Sequence, residues 1–335
     1  MKTQVLYSNE FNQHNDINHP ENANRLNVMI DEIKKTPFYK NLEFITPKIL
    51  SKNILQGVHS NHMIENIKKL SLQGKSWIGF DTYVCNSSYD IARLAAGGLL
   101  KLTKNVSKGM ANNGFGLIRP PGHHATKNNS MGFCLFNNAA IVANELAKQK
   151  NKVLIFDFDV HHGNGTQEIF YDRKDVMYQS IHLSPHYPGT GDISEIGIGK
   201  GEGYNINAPL KHGNGNNAFS KILNEIFLPI AKQFKPNLII VSAGFDSHNK
   251  DPLGGFKLTT NFFGEMIQKY QNIQSKIVGT LEGGYNLDWI GKCIVSILGQ
   301  MSKNQVNFDE SVDEYEDVDE VIKNLKNKLG NYWNV

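Results

Sequence analysis

The fold is decided by the stretch Val153-Leu154-Ile155-Phe156-Asp157-Phe158-Asp159-Val160-His161-His162-Gly163-Asn164-Gly165, where an apolar run ends in acids, histidines and glycines. The apolar run predicts a buried strand over residues 153–158. Side chains two positions apart in an extended segment point to the same side, so Asp159 and His161 can reach one ion, with Asp157 behind them. The stretch therefore predicts a metal site at the end of a strand.

A third ligand is expected after the next strong strand pattern. Residues 238–243 form a second apolar run, and Asp246 follows that run after a glycine and a phenylalanine. In an open α/β sheet, ligands gather beyond the carboxyl ends of the strands. Asp246 is therefore the candidate that completes the ligand set.

Strand-like and helix-like segments alternate along the chain. The predicted strands are 114–119, 153–158, 176–181, 238–242 and 276–281. The predicted helices are 139–147 with Asn138 as its cap, 218–233, 260–271, and a helix through 91–96 capped by Ser87 or Ser88. Short apolar strands separated by helices predict an α/β fold with an open, mostly parallel sheet covered on both faces.

Composition excludes several classes of protein. The chain has 335 residues, a formal net charge of +3 without a long basic cluster, and three widely spaced cysteines, Cys85, Cys134 and Cys293. These features argue against a nucleic-acid partner, a disulfide framework and a cysteine zinc cluster. No apolar run reaches membrane-spanning length, and the first residues turn polar too soon for a signal peptide. We expect a single-domain cytoplasmic protein with no membrane or nucleic-acid partner.

The C-terminal segment has a different composition. Residues 309–320 are mostly acidic, and residues 321–329 form a short Lys-rich amphipathic stretch. We expect a catalytic domain over residues 1–307 and a solvated tail over 308–335 that is packed on the domain or trails from it.

Six blocks of sequence carry a family resemblance. They are His19-Pro20-Glu21 with Arg25-Leu26, Arg119-Pro120-Pro121-Gly122-His123-His124, Gly132-Phe133-Cys134-Leu135-Phe136-Asn137, residues 157–166, Tyr187-Pro188-Gly189-Thr190-Gly191, and the pair 243–255 and 282–286. In this order they resemble the histone deacetylase and acetylpolyamine amidohydrolase superfamily. The resemblance implies an arginase-like open parallel sheet with helices on both faces, which agrees with the alternation of strands and helices.

The resemblance implies that Asp159, His161 and Asp246 are zinc ligands. Two carboxylates and one imidazole leave a coordination position open for water and substrate, as in catalytic zinc sites. Oxygen-rich ligation also suits Fe(II), so the identity of the native metal stays open.

The resemblance also assigns catalytic roles. His124 matches the general base and acid, and His123 the neighbouring histidine that helps to hold developing charge. Tyr285 would donate its hydroxyl to the substrate carbonyl as that oxygen becomes negative. Asp157 matches the carboxylate behind His123, and Asn164 stands behind His124, as in the class II branch. A neutral amide orients the ring without stabilising its charged form, so we expect a lower pKa for His124 than an acid would give.

A narrow substrate tunnel is implied as well. Gly132, Phe133 and Tyr187 match tunnel positions, with the two aromatic rings flanking the aliphatic stem of an acyl-lysine. Leu253 stands where polyamine-selective relatives carry a glutamate. An apolar side chain does not attract a second ammonium group in the substrate. Leu253 therefore favours acyl-lysine in peptides or proteins over an acetylated small amine such as an acetylpolyamine.

A structural potassium site is implied by the resemblance alone. It would be formed by Asp157, Asp159, His161, Ser180 and Ile181.

Other classes of function fit the residues less well. Phosphatases of the Asp-x-Asp type carry Thr or Val where this chain has His161. A binuclear manganese hydrolase of the arginase type needs further acidic and histidine ligands, which Gly163-Asn164-Gly165 does not supply. A binding module without turnover would lack the ligands or Tyr285, and all of them are present. The oligomeric state stays open.

Overall fold

A parallel sheet forms the centre of the molecule. The computed structural model describes residues 1–315 and 317–335. In that part of the chain the strands are β1 Thr3–Leu6, β2 Leu42–Ile45, β3 Ser76–Ile78, β4 Thr82–Val84, β5 Asn113–Gly116, β6 Val153–Asp157, β7 Val176–Leu183, β8 Asn205–Leu210, β9 Leu238–Ala243 and β10 Ile277–Leu281. Eight of these strands pair in the order β2-β1-β5-β10-β9-β6-β7-β8, and β3 and β4 form a separate antiparallel hairpin.

Helices cover both faces of the sheet. The α-helices in the described residues are α1 Asn24–Lys35, α2 Lys52–Leu55, α3 Asn61–Gln73, α4 Ser88–Ser107, α5 Asn138–Ala147, α6 Asn164–Phe170, α7 Asn216–Ile222, α8 Leu228–Phe234, α9 Thr260–Gln271, α10 Ile290–Ser302 and α11 Asp319–Leu329. α4 and α5 contact each other and the sheet, while α1, α9 and α10 form a second contacting set. The predicted α/β fold with a parallel sheet is confirmed.

The inner strands of the sheet are buried over their whole length. All residues of β6 and β9 are buried, as their continuous apolar sequences require. The register pairs Asp157 at the end of β6 with Ser180 of β7 and Ser242 of β9. The carboxyl ends of these strands therefore meet at one edge of the sheet, where the candidate ligands follow.

Two helix predictions needed correction. Asn137, not Asn138, caps α5, because its side chain accepts the Ala140 N–H at 2.9 Å. The helix predicted over 218–233 is divided into α7 and α8 by a π-helical turn at Leu223–Phe227. Pro229 lacks an N–H and its ring crowds the preceding turn, so a wider turn before it relieves the clash.

The C-terminal segment is packed against the domain. Ile322, Leu325 and Leu329 of α11 are buried, and the Trp333 indole N–H donates to the Gly203 carbonyl at 2.6 Å. Of the two expected arrangements, packed on the domain or trailing from it, this helix has the first, because its apolar face covers the domain near β8. The division of the chain at residue 307 stays a prediction. Among the described residues, the search for a helix of membrane-spanning length and hydropathy found none.

Candidate metal and catalytic site

Three candidate ligands converge beyond the carboxyl ends of β6 and β9. Asp159 and His161 follow β6, and Asp246 lies on the short 3-10 turn Phe245–Ser247 after β9. One ligand atom from each of the three side chains lies within 4.8 Å of the other two. His161 Nδ1 is 3.0 Å from Asp159 Oδ1 and 3.4 Å from Asp246 Oδ2. The structure therefore brings together the three residues that the sequence proposed as ligands.

The backbone holds the two carboxylates in place. The Gly283 N–H donates to Asp159 Oδ2 at 2.8 Å, and the Val160 N–H donates to Asp246 Oδ1 at 3.0 Å. A Cβ added to Gly283 would lie 1.9 Å from Asp246 Oδ2, so only glycine allows this close approach of the loop.

The donor set fits a divalent metal ion. Asp246 Oδ2 is buried and has no hydrogen-bond partner among the described residues, as expected of an atom whose partner is a cation. Burial and the nearby Asp159 carboxylate raise the pKa of Asp246 to about 7. A cation bound between the two carboxylates would offset their repulsion, and the two acids with one imidazole match zinc or Fe(II).

Two adjacent histidines line the site from the loop after β5. His123 Nδ1 lies 3.1 Å from Asp157 Oδ2, and His124 Nδ1 lies 2.8 Å from Asn164 Oδ1. Burial opposes a charge on His123, but the Asp159 and Asp157 carboxylates outweigh it and raise the pKa of His123 to about 10.

The two rings have opposite electrostatic environments. Burial, with the neighbouring His123 and His161, holds the pKa of His124 well below its usual value. The hydrogen bond to Asn164 acts in the other direction, so burial and not the amide is the main cause of the low pKa. The pair thus combines one charged imidazole with one neutral imidazole.

Two further polar residues support the histidine pair: Glu282 holds the loop that carries it, and Tyr178 contacts Asp157 behind His123. Sequence reasoning gave neither residue a role. Glu282 Oε2 accepts the backbone N–H groups of Gly122 at 2.7 Å and His123 at 3.1 Å. The Tyr178 hydroxyl donates to Asp157 Oδ2 at 2.9 Å. The signal available in the sequence was the register of β7, where Tyr178 lies two positions before Ser180 and on the same side.

Tyr285 follows β10 and is held by a buried arginine. Arg25 Nε donates to the Gly284 carbonyl at 2.7 Å and Arg25 Nη2 to the Glu282 carbonyl at 2.6 Å. The Arg25 guanidinium also lies 5.0 Å from the centroid of the Tyr285 ring. Burial of Tyr285 raises the pKa of its hydroxyl well above the usual value, so this group is a hydrogen-bond donor at neutral pH.

Glu21 balances the charge of Arg25. Its Oε1 lies 3.1 Å from Arg25 Nη1 and its Oε2 accepts from Arg119 Nη2 at 2.9 Å. Burial would raise the pKa of Glu21, but Arg119 and Arg25 lower it to about 2, so the acid is ionised. The sequence blocks around residues 19–26 and 119 thus form a buried ion cluster beneath the loop of Tyr285.

A narrow cavity of about 250 Å³ opens onto these groups. The predicted tunnel residues Gly132, Phe133, Tyr187 and Leu253 all line it, together with His123, His124, His161 and Tyr285. Gly132 has φ +56, and a Cβ there would lie 2.4 Å from the His124 ring. Asp81 and His186 also line the cavity and were missed by sequence reasoning.

Three of the residues predicted to bind potassium, Asp157, Ser180 and Ile181, lie close together on β6 and β7. Ser180 is paired with Asp157 across β6 and β7, and Ile181 follows Ser180 on β7. The Ser180 hydroxyl is 2.9 Å from His182 Nδ1. A potassium ion at this place stays a prediction.

Comparisons with known proteins agree with this geometry. Residues 19–301 match the family model described as Histone deacetylase domain. A probable deacetylase of Archaeoglobus fulgidus is 36% identical over 297 residues, which cover 86% of this chain and 82% of that protein. A probable deacetylase of Methanothermobacter thermautotrophicus is 34% identical over 335 residues, which cover 98% of this chain and 99% of that protein.

A plant protein and a solved structure extend the comparison. Histone deacetylase 5 of Arabidopsis thaliana is 34% identical over 94% of this chain, but the match spans only 51% of that longer protein. The crystal structure of the HDA15 HD domain superposes with a TM-score of 0.93 at 34% identity and covers 99% of this chain and 97% of its own. A family model matched over most of the chain, together with this superposition, shows that the chain belongs to the histone deacetylase family.

Proposed function

We propose that this chain is a zinc-dependent deacylase that hydrolyses the amide of acetyl-lysine, or of another acyl-lysine, in peptides or proteins. The observation that carries the proposal is that His123, His124, His161 and Tyr285 line one narrow cavity, and that Asp159 and Asp246 offer ligand atoms within 4.8 Å of that of His161. Zinc held by Asp159, His161 and Asp246 would supply a Lewis acid that polarises the carbonyl and acidifies a water molecule.

His124 is suited to move the proton. Its Nδ1 faces Asn164, which leaves Nε2 for the cavity, and its lowered pKa keeps the ring neutral and able to accept a proton from the attacking water. The same nitrogen then protonates the departing amine. His123, held charged by Asp157 and Asp159, places a positive group beside the reacting carbon as negative charge develops.

Tyr285 supplies the second contact to the reacting carbonyl. Its hydroxyl stays protonated because burial raises its pKa, so it can donate a hydrogen bond as the carbonyl oxygen becomes negative. The chain thus places a proton acceptor, a charged imidazole and a hydroxyl donor around one reacting amide.

The shape of the cavity supports a long, thin substrate. Phe133 and Tyr187 line it with aromatic rings, and Leu253 is partly exposed at its mouth. The four-carbon stem of an acyl-lysine fits such a slot, while the peptide backbone stays outside.

A second candidate substrate is an acetylated polyamine. Asp81 also lines the cavity, and its carboxylate could attract the second ammonium group of such an amine. We rank this substrate second because Leu253, at the mouth of the same cavity, is apolar.

The decisive experiment measures release of free amine from an acetyl-lysine peptide and from an acetylpolyamine in parallel. Each substrate is assayed with added zinc, with chelator, and with Tyr285→Phe, which should lower kcat by about 100-fold through loss of one oxyanion donor. Peptide turnover that the chelator abolishes and Tyr285→Phe lowers by this factor supports the proposal, and preference for the polyamine supports the second candidate. Binding of an acyl-lysine peptide without turnover on any acyl length, with bound zinc verified, would indicate a binding protein instead.

The native ions and the compartment are also proposals. Metal analysis of protein purified without chelators would distinguish zinc from iron. A higher unfolding temperature in potassium chloride than in sodium chloride, lost in Ser180→Ala, would support potassium near Ser180. The cytoplasmic location expected from the sequence stays a prediction.

A further inference from the structure

Asp251 holds the backbone of the loop that presents Tyr285. Its Oδ2 accepts the backbone N–H groups of Tyr285 at 2.6 Å and Asn286 at 3.0 Å. Its Oδ1 accepts the N–H of Leu253 at 3.0 Å. One carboxylate therefore connects the loop of Tyr285 to the mouth residue of the cavity, and both of its oxygens are occupied.

The segment that carries Asp251 is held in turn by His248. The His248 carbonyl accepts the Asp251 N–H at 3.0 Å, and its ring Nδ1 accepts the Lys250 N–H at 3.2 Å. Because Nδ1 is an acceptor, the ring proton lies on Nε2, which faces Glu310 Oε1 at 3.2 Å. The imidazole also stacks on Trp289, with ring centroids 5.0 Å apart.

Glu310 belongs to the acidic C-terminal segment but is not solvated. Its side chain is 7% exposed, and its Oε2 accepts the N–H of Thr260, the first residue of α9, at 2.7 Å. Together with Thr260 Oγ1, which lies 3.2 Å from His248 Nε2, it connects His248 to the start of a core helix. Glu310 also lies beyond the family match, which ends at residue 301.

The same segment reaches the mouth of the cavity by a second route. The Tyr315 N–H donates to the Gly213 carbonyl, the Gly213 N–H to the Gly255 carbonyl, and the Lys257 N–H to the Asn214 carbonyl, each at 2.8 Å. The C-terminal segment therefore supports residues 248–257 from both ends.

We propose that Asp251 is a positioning residue for Tyr285 and that Glu310 of the C-terminal segment holds the loop that carries Asp251. The catalytic part of this inference rests on the proposed function, since it requires Tyr285 to act on the substrate carbonyl. The structural part, the support of the Tyr285 loop by Asp251 and Glu310, can be measured without turnover.

Hydrogen–deuterium exchange of peptides covering residues 282–290 tests the structural part. Exchange in this loop should be at least about tenfold faster in Asp251→Asn and in Glu310→Gln than in the unaltered full chain, since each loses an acceptor of a buried N–H or ring proton. Asp309→Asn is the matched control, because it makes the same charge change at an exposed neighbour and should leave exchange unchanged. Unchanged exchange in Glu310→Gln would overturn the role of the C-terminal segment.

A double-mutant cycle tests the catalytic part. Asp251→Asn should lower kcat by about 100-fold with KM within about twofold, because a displaced Tyr285 loses an interaction made in the transition state. In a Tyr285→Phe background the same change should cost little more, since both act through one hydroxyl. Effects that multiply independently would overturn the positioning role, even if Asp251→Asn also lowers stability.

The exchange experiment and the double-mutant cycle together separate this inference from the proposed function. If no acyl substrate is turned over, the proposed function fails, yet the exchange experiment still decides whether Asp251 and Glu310 hold the loop. Should Asp251→Asn fail to fold, Glu310→Gln carries both readouts, with a smaller expected loss in kcat of about tenfold.

Discussion

Gly283 has no side chain because two carboxylates occupy the space that a Cβ would need. The nearest oxygens, Asp246 Oδ2 and Asp159 Oδ2, would lie 1.9 and 2.7 Å from such a Cβ. The Gly283 N–H also donates to Asp159. The backbone at this position therefore forms one wall of the candidate metal site.

Gly283→Ala should weaken metal binding by at least about tenfold, because the added methyl group displaces one or both carboxylates. Zinc affinity is measured by competition with a chelating dye. Gly116→Ala is the control, since the nearest neighbours of a Cβ there are Leu99, Ile118 and Gly279, at 3.2 Å or more, and none of them is a candidate ligand. Equal zinc affinity in the two variants would contradict this account of Gly283.

Leu253→Glu should shift substrate preference toward acetylated polyamines. A carboxylate at the cavity mouth attracts a second ammonium group, and at this partly exposed position we expect a change in the ratio of kcat/KM values of about tenfold. Leu287→Glu is the matched control, because Leu287 is equally exposed and does not line the cavity. If both variants shift the ratio equally, general surface charge and not the position of Leu253 explains the change.

At the scale of elements, the start of α5 is held by a buried histidine. His59 Nδ1 donates to the Thr126 carbonyl at 2.8 Å, and His59 Nε2 accepts the Asn137 N–H at 2.9 Å. Asn137 is the cap residue of α5. Because Nε2 is an acceptor, the ring is neutral in the folded state, and burial lowers the pKa of His59 to about 4.

Stability should therefore fall as the pH drops below the unfolded pKa of His59. The ring binds a proton near pH 6.5 in the unfolded chain and near pH 4 in the folded protein. The contribution of His59 to the free energy of unfolding is therefore complete above pH 6.5 and is lost as the pH falls from 6.5 to 4. At pH 5 the expected loss from this residue is about 2 kcal/mol. Urea unfolding at pH 7.5 and pH 5 measures it.

His59→Asn separates this residue from other buried histidines. Asparagine can still donate to Thr126 but does not titrate, so the variant is less stable at pH 7.5 and should lose less stability on acidification than the unaltered chain. An identical loss in both proteins would rule out His59 as a source of the pH dependence.

How far the elements could be predicted depends on their sequence patterns. β6 and β9 were predicted because they are continuous apolar runs, and the ligands follow because ligands gather at strand ends. β1 and β2 have four residues each and no recognisable pattern. β8 places Asn205 and Asn207 in buried positions, which breaks the apolar signal of a buried strand, and Pro209 is tolerated because β8 is an edge strand.

The supports of the site were less predictable than its ligands. Arg25 reaches carbonyl groups 257 and 259 positions away, and such contacts depend on the folded path of the backbone rather than on a local motif. Glu310 was assigned to a solvated acidic stretch because neighbouring residues of the same charge usually face water. Its burial depends on the N–H of Thr260 and the ring of His248, neither of which is near it in sequence.

At the scale of the whole molecule, the metal site affects stability in two opposite ways. Burial and the nearby Asp159 carboxylate raise the pKa of Asp246 despite the neighbouring His161, so the charged carboxylate destabilises the metal-free protein. Bound zinc would stabilise the folded state instead. Zinc at 100 times its dissociation constant should add about 2.7 kcal/mol.

The effect of Asp246→Asn on the unfolding temperature should therefore have opposite signs without and with zinc. Without zinc it removes one of two repelling charges and should raise the unfolding temperature, whereas with zinc it removes a ligand and should lower it relative to the unaltered chain. Thermal unfolding with chelator and with zinc measures both effects. A lower unfolding temperature without zinc would contradict this account and indicate that the contacts of Asp246 with the Val160 N–H and His161 outweigh the repulsion.

The sheet order has a consequence for how the molecule is made. β10 is the last strand among the described residues, yet it lies between β5 and β9. It connects an early half of the sheet, β2-β1-β5, with a later half, β9-β6-β7-β8. While the ribosome is still adding residues before 277, these halves have nothing to pair with at the centre. His123 and His124 then belong to one half, and Asp159 and Asp246 to the other. A nascent chain therefore cannot bring the two groups of side chains together until β10 has emerged from the ribosome.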